Sequence, residues 1–182
     1  MKELSLHILD IVQNSLEAGA GNIGILIAEK QNDDQLIIEI TDNGKGMTQE
    51  YADRVTDPYV TGRKTRKVGL GLPLFRQNAE KSGGSFTLSS AVGKGTCVKA
   101  VFGFSHLDRP PLGDMAGTFV LMAAANPKVR FSYHHVTDSG EYRLDTAEVN
   151  EMLDGMPISE PEVIRFLKSL IRENLLEIKS EA

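Results

Sequence analysis

Apolar residues at Leu4, Ile8, Ile11, Val12 and Leu16 recur at helical spacing and predict a first helix over residues 2–18, stopped by Gly19 and Gly21. Two β-rich runs, 23–29 and 35–41, flank the turn-prone Gln31-Asn32-Asp33-Asp34 and predict an antiparallel hairpin. A glycine-rich loop at 42–47 leads to a short helix over 48–55, a basic irregular stretch at 58–68, and a helix over 70–81. Leu70, Leu74, Gln77 and Asn78 lie along the faces of that helix, and Ser82-Gly83-Gly84 ends it. Runs 86–91 and 96–104 predict a second hairpin through Val92-Gly93-Lys94-Gly95. This order suits an open sheet with its helices segregated to one face, an α/β (α+β) two-layer sandwich. Further on, a helix over 114–125 closes at Asn126-Pro127, and runs 129–136 and 141–145 predict a hairpin around Asp138-Ser139-Gly140. Asp145 with Glu148, and Ser159 with Glu162, have capping-box spacing and open two more helices. Val163, Phe166, Leu167 and Leu170 form an apolar stripe on the last, read as the packing face of a small C-terminal α+β unit or as a docking face for a partner.

Charge adds a boundary. Residues 1–104 hold 12 Lys/Arg against 12 Asp/Glu, whereas residues 105–182 hold 8 against 13, so the tail carries the net charge of -5. Five of the seven prolines also lie in the tail, and the expectation is a first domain over 1–104 and a small acidic domain over 105–182. The acidic balance and the absence of Trp disfavour nucleic acid and anionic membranes as partners. Cys97 is the only cysteine, which excludes an internal disulfide and a cysteine-built metal site. The first twenty residues carry Glu3, Asp10 and Glu17 among the apolar positions, unlike a signal peptide, and the longest apolar run, 119–125, is far short of a membrane span. A cytoplasmic protein is the expectation.

Four segments carry candidate chemistry. On the first helix Asp10, Asn14 and Glu17 share one stripe opposite the apolar side, either a wet amphipathic face or a site. Asp42-Asn43-Gly44-Lys45-Gly46-Met47 follows an apolar strand; a carboxylate there can accept from an exocyclic amine, and glycines let backbone approach a flat ring, though Asn-Gly also marks plain turns. Gly69-Leu70-Gly71-Leu72 runs into a helix, where backbone N–H groups and the helix dipole favour phosphate. Gly93-Lys94-Gly95-Thr96 by itself reads as a hairpin turn. No glycine lies five residues before a Gly-Lys-Ser/Thr, so a P-loop is absent. His134 and His135 are adjacent in a predicted strand and point to opposite faces, which prevents them sharing one metal, and Cys97 is expected to be an inert core thiol.

In order and spacing these segments resemble the GHKL superfamily of gyrase, Hsp90, histidine kinase and MutL. The run from Asp10 through Asn14 to Ala18 is similar to its N box, 42–47 to its G1 box, 69–72 to its G2 box and 93–96 to its closing Gly-x-Gly-Thr turn. The G2 run looks most like histidine kinases, the N box more like MutL, and the resemblance covers residues 4–104. It implies a Bergerat-type site for ATP and Mg²⁺. Asn14 would hold the metal, and Asp42 would bind the adenine amino group. Ala18, Gly44, Gly46 and Met47 would line the base pocket, with Thr96 supporting Asp42 and the base. Gly69, Leu70, Gly71 and Leu72 would offer amides to the phosphates, and Lys64, within a basic lid over 48–68, would meet phosphate or a phosphorylated partner.

Two departures shape the expected activity. Where the ATPase branches place a glutamate four residues before the asparagine, this chain has Asp10, one methylene shorter, so hydrolysis is expected to be slow. Histidine kinases carry an accepting histidine on a separate dimerisation domain before the N box, and the thirteen residues before Asn14 cannot supply one. His7 lies too near Asn14 on the same helix to serve. The resemblance therefore implies a stand-alone kinase-type subunit that passes the γ-phosphoryl to a partner protein, or alternatively a nucleotide-dependent switch or slow ATPase clamp acting on its partner without transfer. A homodimer is compatible with either.

Overall fold

The computed structural model describes residues 2–55 and 71–182; the basic stretch and the roles assigned to Lys64, Gly69 and Leu70 lie outside them. The chain runs α1 (Leu4–Glu17), β1 (Asn22–Lys30), a 3₁₀ turn at Gln31–Asp33, β2 (Gln35–Asp42), α2 (Gln49–Val55), α3 (Gly71–Lys81), β3 (Ser85–Ala91) and β4 (Gly95–Gly103). It continues with α4 (Met115–Ala125), β5 (Arg130–Thr137), β6 (Gly140–Asp145), α5 (Thr146–Met152) and α6 (Pro161–Glu177). The strands form one sheet in the order β3-β4-β2-β1-β5-β6. Every neighbouring pair is antiparallel except β1 with β5.

Period-two alternation decides which face is covered. Ile23, Ile25 and Ile27 of β1, Leu36, Ile38 and Ile40 of β2, Val98, Ala100 and Phe102 of β4, and Phe131 and Tyr133 of β5 are all buried beneath the helices. The other face carries a more polar set, including Thr41, Glu39, Lys99 and Ser132. A two-layer sandwich results, with α1 between α3 and α4, and α6 packed on α4. Its aromatic core falls into two groups. Phe75 meets Phe102 at 5.5 Å between ring centres under α3, while Phe119 meets Tyr133 at 5.3 Å under α4.

The tail does not build a sheet of its own. β5 lies along β1 in register from Asn22↔Arg130 to Glu29↔Thr137, so the strand layer continues across the compositional boundary at Ser105. The linker is also tied in, because the Leu4 and Ser5 amides donate to Pro111 and Leu112 carbonyls at 2.9 Å, satisfying two groups that a helix start leaves open. A shift in surface charge reports nothing about strand pairing, and β1, with apolar residues nearly throughout, needs a neighbour on both edges.

Some local expectations shift. Asp145 caps α5 by accepting from the Ala147 amide at 2.9 Å. α6 instead starts one residue late for the Ser159 box, with Glu160 at the cap and Pro161, which has no N–H to satisfy, in the first turn. Cys97 is half-buried on the polar face rather than in the core, and burial pushes its thiol up. His135 is buried while His134 is half-exposed on the opposite side, paired with Glu141 at 2.7 Å. Among the described residues no helix is long and apolar enough to cross a membrane.

One buried polar cluster ties the C-terminal segment to the sheet. Glu29 and His135 are both fully buried, with His135 Nε2 2.6 Å from Glu29 Oε1 and the Tyr133 hydroxyl 2.6 Å from His135 Nδ1. Ser180 Oγ also donates to Glu29, as does the Glu181 amide at 3.1 Å. Burial alone would raise the Glu29 carboxyl, but bonds from His135, Ser180 and the Glu181 backbone together hold it below its ordinary value. Replacing His135→Leu leaves that carboxylate buried without its imidazole donor and is expected to lower unfolding free energy by about 3 kcal/mol in urea denaturation. A loss under about 1 kcal/mol would show that the cluster contributes little.

Acid sensitivity follows from two buried titratable groups, His7 on α1 and Glu29 in this cluster. Burial pulls the His7 imidazole down from 6.5 to about 4. The unfolded chain therefore takes up a proton at His7 over a window where the folded protein refuses it, so stability falls as pH drops from 6.5 toward about 4, by roughly 3 kcal/mol at most. The depressed Glu29 carboxyl contributes stability that is in place above its unfolded value and is lost on further acidification. Urea unfolding followed from about pH 7 to about pH 4.5 should show this slope, and His7→Gln should remove most of its upper part.

Candidate functional site

The site forms where β2 ends beneath α1. Asp42 sits between Ile23 of β1 and Thr96 of β4 in the sheet register, so its position is fixed from both sides. Ser15 Oγ of α1 donates to Asp42 Oδ2 at 2.7 Å, and the Gly44 amide donates to Asp42 Oδ1 at 2.8 Å. Each carboxylate oxygen keeps a second lone pair, and the residue is only partly buried, so the group retains acceptor capacity toward a ligand amine.

The loops around it are knitted to one another. Asn43 Oδ1 accepts from the Gly21 and Asn22 amides at 2.9 and 2.8 Å, and the Lys45 amide donates to the Ala18 carbonyl at 2.9 Å. The G1 loop also meets the turn between β3 and β4: Gly93 N–H donates to Lys45 C=O at 2.7 Å, and Met47 N–H donates to Ser90 Oγ at 2.9 Å. Two glycines permit this closeness. Gly46 has φ +64, and a Cβ there would stand 2.0 Å from the Ala91 carbonyl oxygen; Gly95 has φ +91, and a Cβ would stand 1.9 Å from that of Asp42.

α1 carries the other half. Asn14 is exposed, one turn beyond the half-buried Asp10. A Cβ added to Gly71 would fall 1.8 Å from Asp10 Oδ2, so the Asp10 carboxylate lies directly against the start of α3, where the helix dipole favours negative charge.

The structure thus brings together Ala18, Asp42, Gly44, Gly46, Met47 and Thr96, and separately seats Asp10 on Gly71. Leu72 is buried in the core, at 8 % exposure, so its side chain serves packing. Thr96 lies across from Asp42, but its hydroxyl pairs with Ser90 Oγ at 2.9 Å, and the hydroxyl on Asp42 comes from Ser15. His7 is buried, consistent with setting it aside as an acceptor. Sequence reasoning missed Ser15, Ser90 and Asn43. A serine on the buried side of an amphipathic helix was a signal for the first; Ser90 offers none.

Gly19-Ala20-Gly21-Asn22-Ile23-Gly24 does match the glycine spacing of dinucleotide-binding folds. It leads from a helix into a strand, the reverse of the strand-to-helix order that such a site requires, and so supports no Rossmann reading.

The chain is similar to known proteins in sequence and in fold. The sequence profile of the histidine kinase-, DNA gyrase B-, and HSP90-like ATPase family matches residues 2–106. The chain is 34% identical over 97 residues to sporulation kinase B of Bacillus subtilis (strain 168), covering 53% of this chain and 22% of that protein. It is 31% identical over 99 residues to the signal transduction histidine-protein kinase ArlS of Staphylococcus aureus (strain USA300), covering 52% and 22%. The chain therefore spans about a fifth of the length of these kinases. Its fold is similar to the Aquifex aeolicus MutL ATPase domain complexed with ADP, at TM-score 0.55 and 19% identity, covering 85% of this chain and 70% of that one. By the match over most of its first 106 residues, the chain belongs to the histidine kinase-, DNA gyrase B-, and HSP90-like ATPase family.

Proposed function

We propose that this chain binds Mg-ATP between α1, the end of β2 and the start of α3, and passes the γ-phosphoryl to a side chain of a partner protein in cytoplasmic signalling. The observation that carries the reading is the Asp42 carboxylate, fixed by Ser15 and Gly44 at a strand end with acceptor capacity left over. An adenine amino group donates to such a carboxylate, and Gly46 and Gly95 keep the surrounding backbone close without side chains. The donor set at the other end fits a metal-bound triphosphate, because the Asn14 amide is exposed and the α3 start favours anions. Mg²⁺ would neutralise phosphate charge there. Transfer then joins the acceptor's nucleophilic atom to the γ-phosphorus and breaks its bond to the β–γ bridging oxygen, with ADP leaving; positioning supplies most of the catalysis.

A second reading, a nucleotide-dependent switch without transfer, is favoured by the seat of Asp10. A carboxylate held against Gly71 is poorly placed to activate water, so bound ATP persists and its occupancy can govern partner binding.

Calorimetric titration with Mg-ATP tests the site. Asp42→Ala and Asn14→Ala should each weaken binding by roughly tenfold to a hundredfold, and Ser15→Ala by about fivefold, as expected for charged and neutral hydrogen bonds. Retained affinity in Asp42→Ala would remove the basis of the assignment.

Labelled ATP separates the two readings. Incubation with proteins of the source cell should give a labelled partner dependent on Asn14. ATP-dependent pull-down of an unlabelled partner would favour the switch.

A further inference from the structure

α1 and α3 meet at two polar points. One is Asp10 against Gly71; the other is His7, 1% exposed, whose Nε2 lies 3.0 Å from Asn78 Nδ2. His7 and Asp10 are three apart on α1, and Gly71 and Asn78 are seven apart on α3, so each pair occupies one helix face. As α1 advances from His7 to Asp10, α3 runs back from Asn78 to Gly71, and the two helices are antiparallel along this seam. Between these points the His7 ring packs on Phe75 at 5.8 Å between centres.

Resting on the Mg-ATP reading above, we infer that His7 and Asn78 form a positioning pin that fixes the start of α3 against α1 and so sets the phosphate end of the site. Apolar contact is non-directional and tolerates small slides and rotations, whereas a hydrogen bond fixes relative placement. Gly71 approaches Asp10 so closely that a small slide of α3 along α1 would open or close the contact. The imidazole also carries a cost that packing does not explain. Asn78 Nδ2 can only donate, so His7 Nε2 accepts and the ring proton stays on Nδ1, which has no partner among the described residues. A buried donor left unpaired is disfavoured, and a leucine at position 7 would avoid that penalty while still filling the core.

The test uses the full chain with His7→Leu, Asn78→Leu and His7→Gln, the last keeping an acceptor near the Nε2 position. Amide hydrogen exchange at Gly71 and Leu72, without nucleotide, reads the pin directly; calorimetry with Mg-ATP and with adenosine reads its effect on the site. His7→Leu and Asn78→Leu should speed exchange at Gly71 and Leu72 and weaken Mg-ATP about fivefold to tenfold while leaving adenosine unchanged. His7→Gln should stay near wild type in both. Unchanged exchange, equal losses for Mg-ATP and adenosine, or a His7→Gln variant as impaired as His7→Leu would each overturn the pin. Asn78 is only half-buried, so Asn78→Leu keeps the test available if His7→Leu does not fold. A wild type that takes up no nucleotide would sink the functional reading, and the pin would then stand or fall on the exchange data alone.

Discussion

A carboxylate at the end of a central strand must be solvated or hydrogen-bonded, and that requirement on Asp42 organises the loops at this end of the sheet. Its two oxygens recruit a hydroxyl from α1 and an amide from its own loop. Those bonds fix the height of α1 over the sheet and the path of the chain leaving β2. The Asn43 amide then holds the turn before β1, and Lys45 bridges to Ala18 and Gly93. Asp42, Asn43 and Lys45 together therefore position segments far apart in the chain. The bonds that hold Asp42 in place leave lone pairs unused, and the proposed adenine contact would draw on that capacity. On that proposal folding and recognition draw on one set of contacts, so damage to either should appear in both.

The strands and helices were legible because their periods are clean. The alternation through β2 and the helical spacing from Leu4 to Val12 leave little room for another assignment. The close approach of the loops at the candidate site was legible for a different reason: Gly46 and Gly95 stand where a Cβ would strike backbone, and glycine in such a place leaves a trace in the sequence. What could not be read is what depends on tertiary pairing. Ser15 stands out as a serine on the buried side of α1, but nothing local names its partner, Asp42, 27 positions away. The resemblance gives Thr96 the role of supporting Asp42, and the two are register partners, yet the Thr96 hydroxyl pairs with Ser90 Oγ at 2.9 Å. The parallel pairing of β1 with β5 is the strongest case, since no local pattern announces which edge a distant hairpin will join.

That pairing changes what the acidic tail is. Its charge and prolines set it apart in composition, while its strands complete the sheet and its helices α4 and α6 cover the core beside α1. The cluster around Glu29 fastens the other end. Glu29 lies on β1, His135 on β5 and Ser180 beyond α6, so a single carboxylate joins both halves of the chain at the opposite end of β1 from Ile23, the register partner of Asp42. Strain introduced in the tail would thus reach β1 through backbone pairing and side-chain bonds together, which gives a partner bound to the tail a physical path toward the strand pair that carries Asp42.

Asp10 shows how packing bounds the chemistry. Its carboxylate already stands where a Gly71 Cβ would be. A side chain one methylene longer in the same rotamer would collide with α3 unless the helix moved away. Reach toward an attacking water and close approach of α3 are therefore competing demands at this position, and the combination of aspartate with glycine resolves them in favour of the helix. Bringing α3 close places its N-terminal end and dipole against Asp10, one turn of α1 before the exposed Asn14. On the proposed Mg-ATP reading, such an arrangement would hold a terminal phosphoryl group in place for an incoming side chain or for a bound partner rather than spend it on water. Lengthening Asp10 should then cost α3 its seat before it gains any hydrolysis.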